Sequence, residues 1–409
     1  MIQVDLISQI FLSLSVLGLL AVTLARDVAA ARKLALAVIA CMLAAVLLST
    51  RFNWLAFSDP TAYQTVVFVL LGNLLAAFYT PAFMGEKKTF ALIFALNLLS
   101  FMIWTSESGQ MIWMAVPAFF LLLTVAHLHD RGMLRLLLLF GVITSSLIAV
   151  SLSSPDAAGH SVTLLELGGL IFFMGLFPLS PWYSRLFERS STGLLAAAFI
   201  MQVIFVLKLQ LQQSLVRDDY LFVLPLMATL SLLMAIAQPC ARRALSGLAA
   251  SQLAFLAFAL SGEHFSDKAG MLLAESQLVT IPGLILTMGI LEVRIGRLSL
   301  ARPSGHYDSY PKLATCMLLF GLMGAGFPLS LAYVAEDLVL ESGIHESLYQ
   351  GVAWLVVTAL AAIAVIKMYL YLFHGGRGHE VGIDILPSKL VAAVLASVFL
   401  IASSVLLPA

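Results

Sequence analysis

The sequence predicts an all-α integral membrane fold of about fourteen transmembrane helices, and three observations carry that prediction. Of 409 residues, 61% are hydrophobic and only 11% charged, with mean hydropathy +1.02. A soluble domain is roughly 45–50% apolar and about 25% charged. Apolar runs near the roughly 20 residues that a bilayer requires recur along the whole chain. Lys and Arg alternate between rich and poor connectors. This composition excludes an ordinary soluble enzyme, a disordered chain and a disulfide scaffold. With 22 basic and 22 acidic residues there is no net basic field to hold nucleic acid. Cys41, Cys240 and Cys316 show no metal-ligand spacing and read as core or lipid-facing side chains.

The apolar runs fall at about 6–25, 33–50, 62–84, 89–105, 110–128, 132–152, 162–181, 191–213, 220–238, 242–261, 269–291, 312–341, 350–374 and 389–407. Asp5 precedes the first run and no basic segment leads it, so a cleaved signal peptide is not expected. The connectors are too short to house a soluble domain. No cofactor and no metal are therefore expected in this chain, and any redox chemistry would belong to partner chains.

Loop charge tests the count. Taken alternately, one set of connectors holds seventeen Lys and Arg residues, while the other holds only Arg51, Arg217 and Lys268. Lys208 and Lys367 lie inside spans and complete the 22. Basic connectors face the cytoplasm, so both termini are expected on the outer face of the cell inner membrane. A missed or invented span in the middle would scramble this alternation.

The tetrapeptide Phe-Pro-Leu-Ser occurs twice, at Phe177–Ser180 and Phe327–Ser330, with Gly175 upstream of the first copy and Gly321, Gly324 and Gly326 upstream of the second. Proline removes a backbone donor and clashes with the preceding turn, so a break is expected at Pro178 and at Pro328. Non-helical backbone at membrane depth survives only inside protein or beside a watery cavity. Paired interrupted spans point to a transport site. The copies fall in spans seven and twelve, and an odd offset of five orients the two units oppositely, as in an inverted repeat. Chance recurrence of four common residues is the plain alternative.

At these residues the sequence resembles a family. Gly326-Phe-Pro-Leu-Ser through Glu336 and Leu340 is similar to the G-L-P-x-x-x-G-F-x-G-E-F-x-x-L stretch of the antiporter-like subunits of respiratory complex I, membrane-bound hydrogenases and Mrp-type cation/proton antiporters. Pro178-Leu-Ser-Pro-Trp182 resembles their P-x-H-x-W, with Ser180 in the histidine position. Arg242-Arg243-Ala-Leu through Gln252 and Phe255 resembles K-R-L-L-A-Y-S-S-x-x-H-x-G-Y, and Ile366-Lys367 through Gly375 resembles Y-L-R-x-x-x-x-x-F-x-G. The four blocks agree in order and spacing over about 170–376. The resemblance implies fourteen helices, inverted five-helix repeats and broken helices seven and twelve. It divides the chain into N-terminal helices at 1–105, a first antiporter-like repeat region at 106–213, a second at 214–376 and a C-terminal helix at 377–409.

The departures matter as much. The family moves protons along buried titratable groups at mid-membrane. Its span-five glutamate has no counterpart in Met111–Leu128. Its lysine before the broken helix falls at Phe173, its span-eight lysine at Val203 or Ile204, its span-ten histidine at Gln252, and its span-eleven pair at Gln277 and Ile281. Phe and Ile cannot titrate, and Gln orients water without carrying charge. The retained acid is Glu336.

The candidate ion-path residues are therefore Glu336, Lys367, Lys208, Glu275, Gln252, Gln277 and Gln202. For each the plain alternative is structural. Lys208 can snorkel outward, Glu275 reads as interfacial near the outer end of span eleven, and glutamines with Thr280 can simply bond neighbouring helices. His127, His129 and His374 sit at span ends and read as interfacial.

The leading functional expectation is a membrane subunit of an ion-coupled complex. It would conduct protons or sodium by a reduced charge path or serve as a non-pumping scaffold, and it would catalyse no redox step itself. Its expected partners are other membrane subunits, a soluble peripheral module and the lipid bilayer. A standalone transporter of a small solute, or a membrane partner in inorganic carbon uptake, are the alternatives.

Overall fold

The computed structural model describes residues 2–51, 60–80, 87–106, 109–153, 160–213, 222–261, 267–375 and 384–406. Among them the chain forms sixteen helices and no strand. The first six are α1 (Ile2–Leu24), α2 (Val28–Arg51), α3 (Pro60–Tyr79), α4 (Lys87–Thr105), α5 (Gly109–Ala126) and α6 (Arg131–Ser153). Next come α7 (His160–Met174), α8 (Pro181–Arg189), α9 (Thr192–Gln213), α10 (Val223–Ala237) and α11 (Ala241–Ala259). The last five are α12 (Asp267–Ile295), α13 (Pro311–Gly324), α14 (Leu331–Glu346), α15 (Leu348–Phe373) and α16 (Pro387–Leu406). Six of these are long and apolar enough to cross a membrane, by length and composition, within the described residues.

Helix starts follow local chemistry. Pro60, Pro181, Pro311 and Pro387 open α3, α8, α13 and α16, where a missing N–H costs nothing and the fixed φ suits the first turn. Asp130 caps α6, accepting from the N–H groups of Gly132 at 3.1 Å and Met133 at 3.2 Å. Those bonds and the Arg189 guanidinium, which comes first in effect, hold its carboxyl below the usual carboxylate range.

Helix ends are closed by cations from elsewhere in the chain. Lys87 donates to the Ala25 carbonyl at 2.9 Å, just past α1. Arg32 and Lys389 donate to the Phe78 and Tyr79 carbonyls at the end of α3, at 2.7 and 3.1 Å. Arg242 reaches the Phe187 and Ser190 carbonyls at the end of α8, at 2.8 and 2.6 Å, and also pairs with Glu292. Lys367 donates to the Ile236 carbonyl at the end of α10. A positive charge on orphan C-terminal carbonyls satisfies them and opposes the negative end of the helix dipole. The carbonyls of Tyr371, Leu372, Phe373 and His374 at the end of α15 are met instead by backbone N–H groups of Ser304 through Tyr307 in the α12–α13 connector.

Helices α9 and α12 form the interior axis. α12 packs on α3, α9, α11, α13 and α14, and α9 on α3, α4, α5 and α11. Helices α2 and α6 are only 22% buried along their apolar length. Leu138, Leu139 and Val142 of α6, and Val391 and Leu395 of α16, point outward as an apolar surface, the surface a lipid phase accepts.

Candidate functional site

The two Phe-Pro-Leu-Ser copies lie where the chain leaves helical conformation, between α7 and α8 and between α13 and α14. In the second place α13 closes with Ala325 N–H on the Leu322 carbonyl, and the Phe327 N–H returns to the same carbonyl at 3.0 Å. Gly326 has φ +72 and Leu329 φ +75, the left-handed region that only glycine enters without strain. Ser330 then restarts the chain as α14, its Oγ accepting from the Tyr333 N–H at 3.2 Å.

Glu336 sits one turn and a half into α14 and is 7% exposed. Its carboxylate lies directly over Gly326: a Cβ on that glycine would overlap Oε2 and sit 2.9 Å from Cδ. Two residues earlier, Gly324 faces α12, and a Cβ there would meet Thr280 Oγ1 at 3.3 Å. One helical turn back along α12, Gln277 donates to the Gln252 backbone carbonyl at 2.9 Å and to its side-chain oxygen at 3.2 Å. Thr280 Oγ1 itself bonds back to the Ser276 carbonyl at 2.9 Å, so α11 and α12 hold two separate buried polar contacts on the side of the non-helical backbone. No cation forms an ion pair with Glu336 among the described residues.

The first place is built differently. Gly175, φ +68, is covered by Tyr183, whose Cβ and Cγ would both stand 2.6 Å from an added Cβ. The Tyr183 hydroxyl donates to Gln202 Oε1 at 3.0 Å, and Gln202 Nε2 donates to the Phe173 carbonyl at 2.9 Å. Trp182 Nε1 takes the Phe172 carbonyl at 3.0 Å, and the Phe177 N–H bonds Ser231 Oγ at 2.9 Å. Around this network Phe173 stacks at 4.5 Å on Phe205 and 5.2 Å on Phe119, and Trp182 at 5.0 Å on Phe120. Gln202 is fully buried and occupied in holding backbone.

The remaining sequence candidates are not brought to one locus. Glu275 is 1% exposed and not interfacial. The N-terminal helices cover it: Thr65 of α3 approaches its Oε1 at 3.5 Å, and its Oε2 has no hydrogen-bond partner. Two positions apart on α12, Glu275 faces α3 while Gln277 faces α11. Lys208 extends over the Trp104 ring of α4 at 5.4 Å. Lys367 is the α10 end cap described above and lies 5.3 Å over Tyr371. His127 is buried rather than interfacial, bridging the Leu123 carbonyl at 2.9 Å and Ser190 Oγ at 3.0 Å. His374 closes α15 against Tyr369 and Tyr307.

A cavity of about 750 Å³ opens beside His127, Asp130, Arg189, Arg242 and Glu292. Its acids Asp130, Glu188 and Glu292 are each paired with an arginine. No grouping of His, Cys, Asp and Glu among the described residues suits a metal ion.

Sequence reasoning missed the contact of Glu336 with Gly326 and the role of Tyr183. The signal for the first was present as a glycine just before each proline, Gly175 three residues before Pro178 and Gly326 two before Pro328.

No family model matches the sequence. The NADH-quinone oxidoreductase subunit N 2 of Acidobacterium capsulatum is 25% identical over 345 residues, covering 74% of this chain and 69% of that protein. Among solved structures, a chain of the Mrp complex from a Dietzia species superposes with TM-score 0.82 at 15% identity, covering 99% of this chain and 95% of that one. A chain of Thermus thermophilus respiratory complex I with bound NADH gives TM-score 0.78 at 18% identity over 96% and 94%. A chain of an archaeal membrane-bound sulfane sulfur reductase gives 0.80 at 12% identity over 96% and 75%.

Proposed function

We propose that the chain is a divergent antiporter-like membrane subunit, and that it works in an ion-translocating complex in which Glu336 is the residual ion-binding group. Counting α7 with α8 and α13 with α14 as single interrupted spans turns sixteen helices into fourteen spans. Spans seven and twelve are then the broken pair of an inverted repeat. Both termini lie on the outer face, which agrees with the end-capping by Arg32, Lys87, Arg242 and Lys389: each meets the end of a helix running inward in that topology.

One observation carries the reading: a buried carboxylate laid on left-handed, non-helical backbone at Gly326. A carboxylate in a span is expensive unless it serves an ion or finds a partner, and no cation pairs with this one among the described residues. It can take up a proton or a sodium ion. Gln277 and Gln252 can orient water without holding charge. Energy comes from redox chemistry in partner chains or from an existing gradient, so the chain itself catalyses no electron transfer.

The test is ion flux in vesicles holding the complex that copurifies with the chain, comparing the native protein with Glu336→Gln. Glutamine keeps the volume and removes the titration, and a fall of at least about tenfold is expected. Unchanged flux in a folded variant rejects the assignment. The aromatic packing of Phe173 where the family carries a lysine favours a second reading, a non-pumping scaffold. That reading expects no ion flux from native protein that still assembles with its partners.

A further inference from the structure

The second break is open on one side. Phe327, Pro328 and Leu329 are exposed, and so are Tyr333, Asp337 and Glu341 of α14. Steps of four residues set these last three on one stripe of the helix. The stripe faces away from Ala335, Glu336 and Val339, which turn into the core. Asp337 forms no ion pair among the described residues.

The neighbouring helix fixes the depth of this face. α14 and α15 meet at Ser347 and pack closely: a Cβ added to Gly351 would lie 2.3 Å from Ile344 Cγ1. α15 turns Leu348, Val352, Leu355, Ile363, Ile366 and Leu370 outward. At 1.5 Å per residue that apolar face is about 33 Å long, close to the roughly 30 Å of a bilayer's hydrocarbon. Ile344 is therefore level with one edge of the band. Asp337 precedes it by seven residues, which places the carboxylate about 10 Å inside and the start of α14 about 20 Å inside.

Lipid does not accept such a face. Irregular backbone at membrane depth survives only under protein or beside water, and a carboxylate there calls for a cation or water. Both demands fall on one side of one helix, so one occupant meets both. A spanning helix of another chain covers the break with packed side chains, and a Lys or Arg on it answers Asp337. A second copy of this chain does not fit. Twofold symmetry sets Asp337 against Asp337. The cations inside this chain's own spans are engaged, Lys208 over the Trp104 ring and Lys367 on the Ile236 carbonyl. We propose that residues 327–329, Tyr333 and Asp337 form the docking face for a transmembrane helix of a different membrane subunit, which carries a basic residue opposite Asp337. The proposal rests on the reading of the chain as a subunit of a membrane complex, and not on ion flux through Glu336.

The experiment uses the full chain in its native membrane, with the photo-reactive residue benzoylphenylalanine in place of Tyr333. Irradiation is expected to join it to one membrane subunit of the copurifying complex, at a peptide inside a transmembrane segment that holds Lys or Arg. Asp337→Lys should lower the amount of that subunit retained by about tenfold or more, and Asp337→Asn by less. Adducts to lipid alone at position 333 overturn the proposal whether or not the Asp337 variants fold. A product that joins two copies of this chain overturns it too, as does full retention of the complex by Asp337→Lys. Reaction of Asp337→Cys with a membrane-impermeant maleimide in the assembled complex, mapped to residue 337, makes the face water-filled and rejects the helix. A chain that copurifies with no membrane subunit removes the subunit reading and this proposal with it, whereas an intact complex without the cross-link removes this proposal alone.

Discussion

The same four residues, Phe-Pro-Leu-Ser, break the helical path twice, and the two breaks are finished in opposite ways. At the first, side chains take three backbone groups near the break: Trp182, Gln202 and Ser231 hold the Phe172 and Phe173 carbonyls and the Phe177 N–H. Phenylalanines 119, 173 and 205 seal the surroundings. At the second, the glycine that must adopt positive φ is covered not by a tyrosine ring but by a carboxylate. Phe327 and Leu329 of that copy are 50% and 70% exposed. A break is thus only a frame. A cavity of about 210 Å³ opens at the first break beside Pro178, Ser180 and Ser231, so what separates the two is the group the next helix lays over the glycine, a tyrosine ring at one and a carboxylate at the other.

Ion flux should separate the breaks most sharply. Glu336→Gln, at the second, is expected to lower it by at least about tenfold. At the first, Tyr183→Phe removes one hydroxyl from the corresponding cover and should leave flux within about twofold, since the Tyr183–Gln202 bond holds backbone rather than charge. Flux that collapses in Tyr183→Phe while the protein stays folded would make the first break a working part of the path and end the contrast.

Stability should sort the breaks in the reverse order. Phe173 is fully buried between two rings, and Phe173→Ala should cost about 3–5 kcal/mol of the unfolding free energy, read by denaturant titration in mixed micelles. Phe327→Ala, at the half-exposed phenylalanine that opens the second copy, should cost under about 1 kcal/mol. Comparable losses would mean that the second break is sealed as tightly as the first.

Much of this frame was legible in the sequence. The repeated Phe-Pro-Leu-Ser, the glycines before it and the alternation of loop charge need only local chemistry. Glu336 stood out because an acid in an apolar run has few ordinary uses. What stayed hidden depends on partners remote in the chain. Glu275 reads as interfacial until α3, more than 200 residues earlier, is packed over it with Thr65. Lys367 reads as a charge in a span until the end of α10 arrives at its amine. Helix α8, nine residues long, is shorter than any window that detects a span. Gly326 and Glu336 meet across non-helical backbone, where neither the 3.6-residue nor the 2-residue period predicts a neighbour.

The serines of the two copies offer the finest test. Ser330 Oγ accepts from the Tyr333 N–H and caps α14. Ser180 occupies the same place before α8 but, with φ −85 and ψ 0, makes no side-chain cap bond. A lost cap costs about 1 kcal/mol, so Ser330→Ala should lower stability by about that amount and Ser180→Ala by much less. The comparison is free of volume effects, because both variants delete one oxygen from the same tetrapeptide. Equal costs would show that the two breaks restart their helices alike, leaving the tyrosine and the carboxylate over the glycines as the whole of the difference between them.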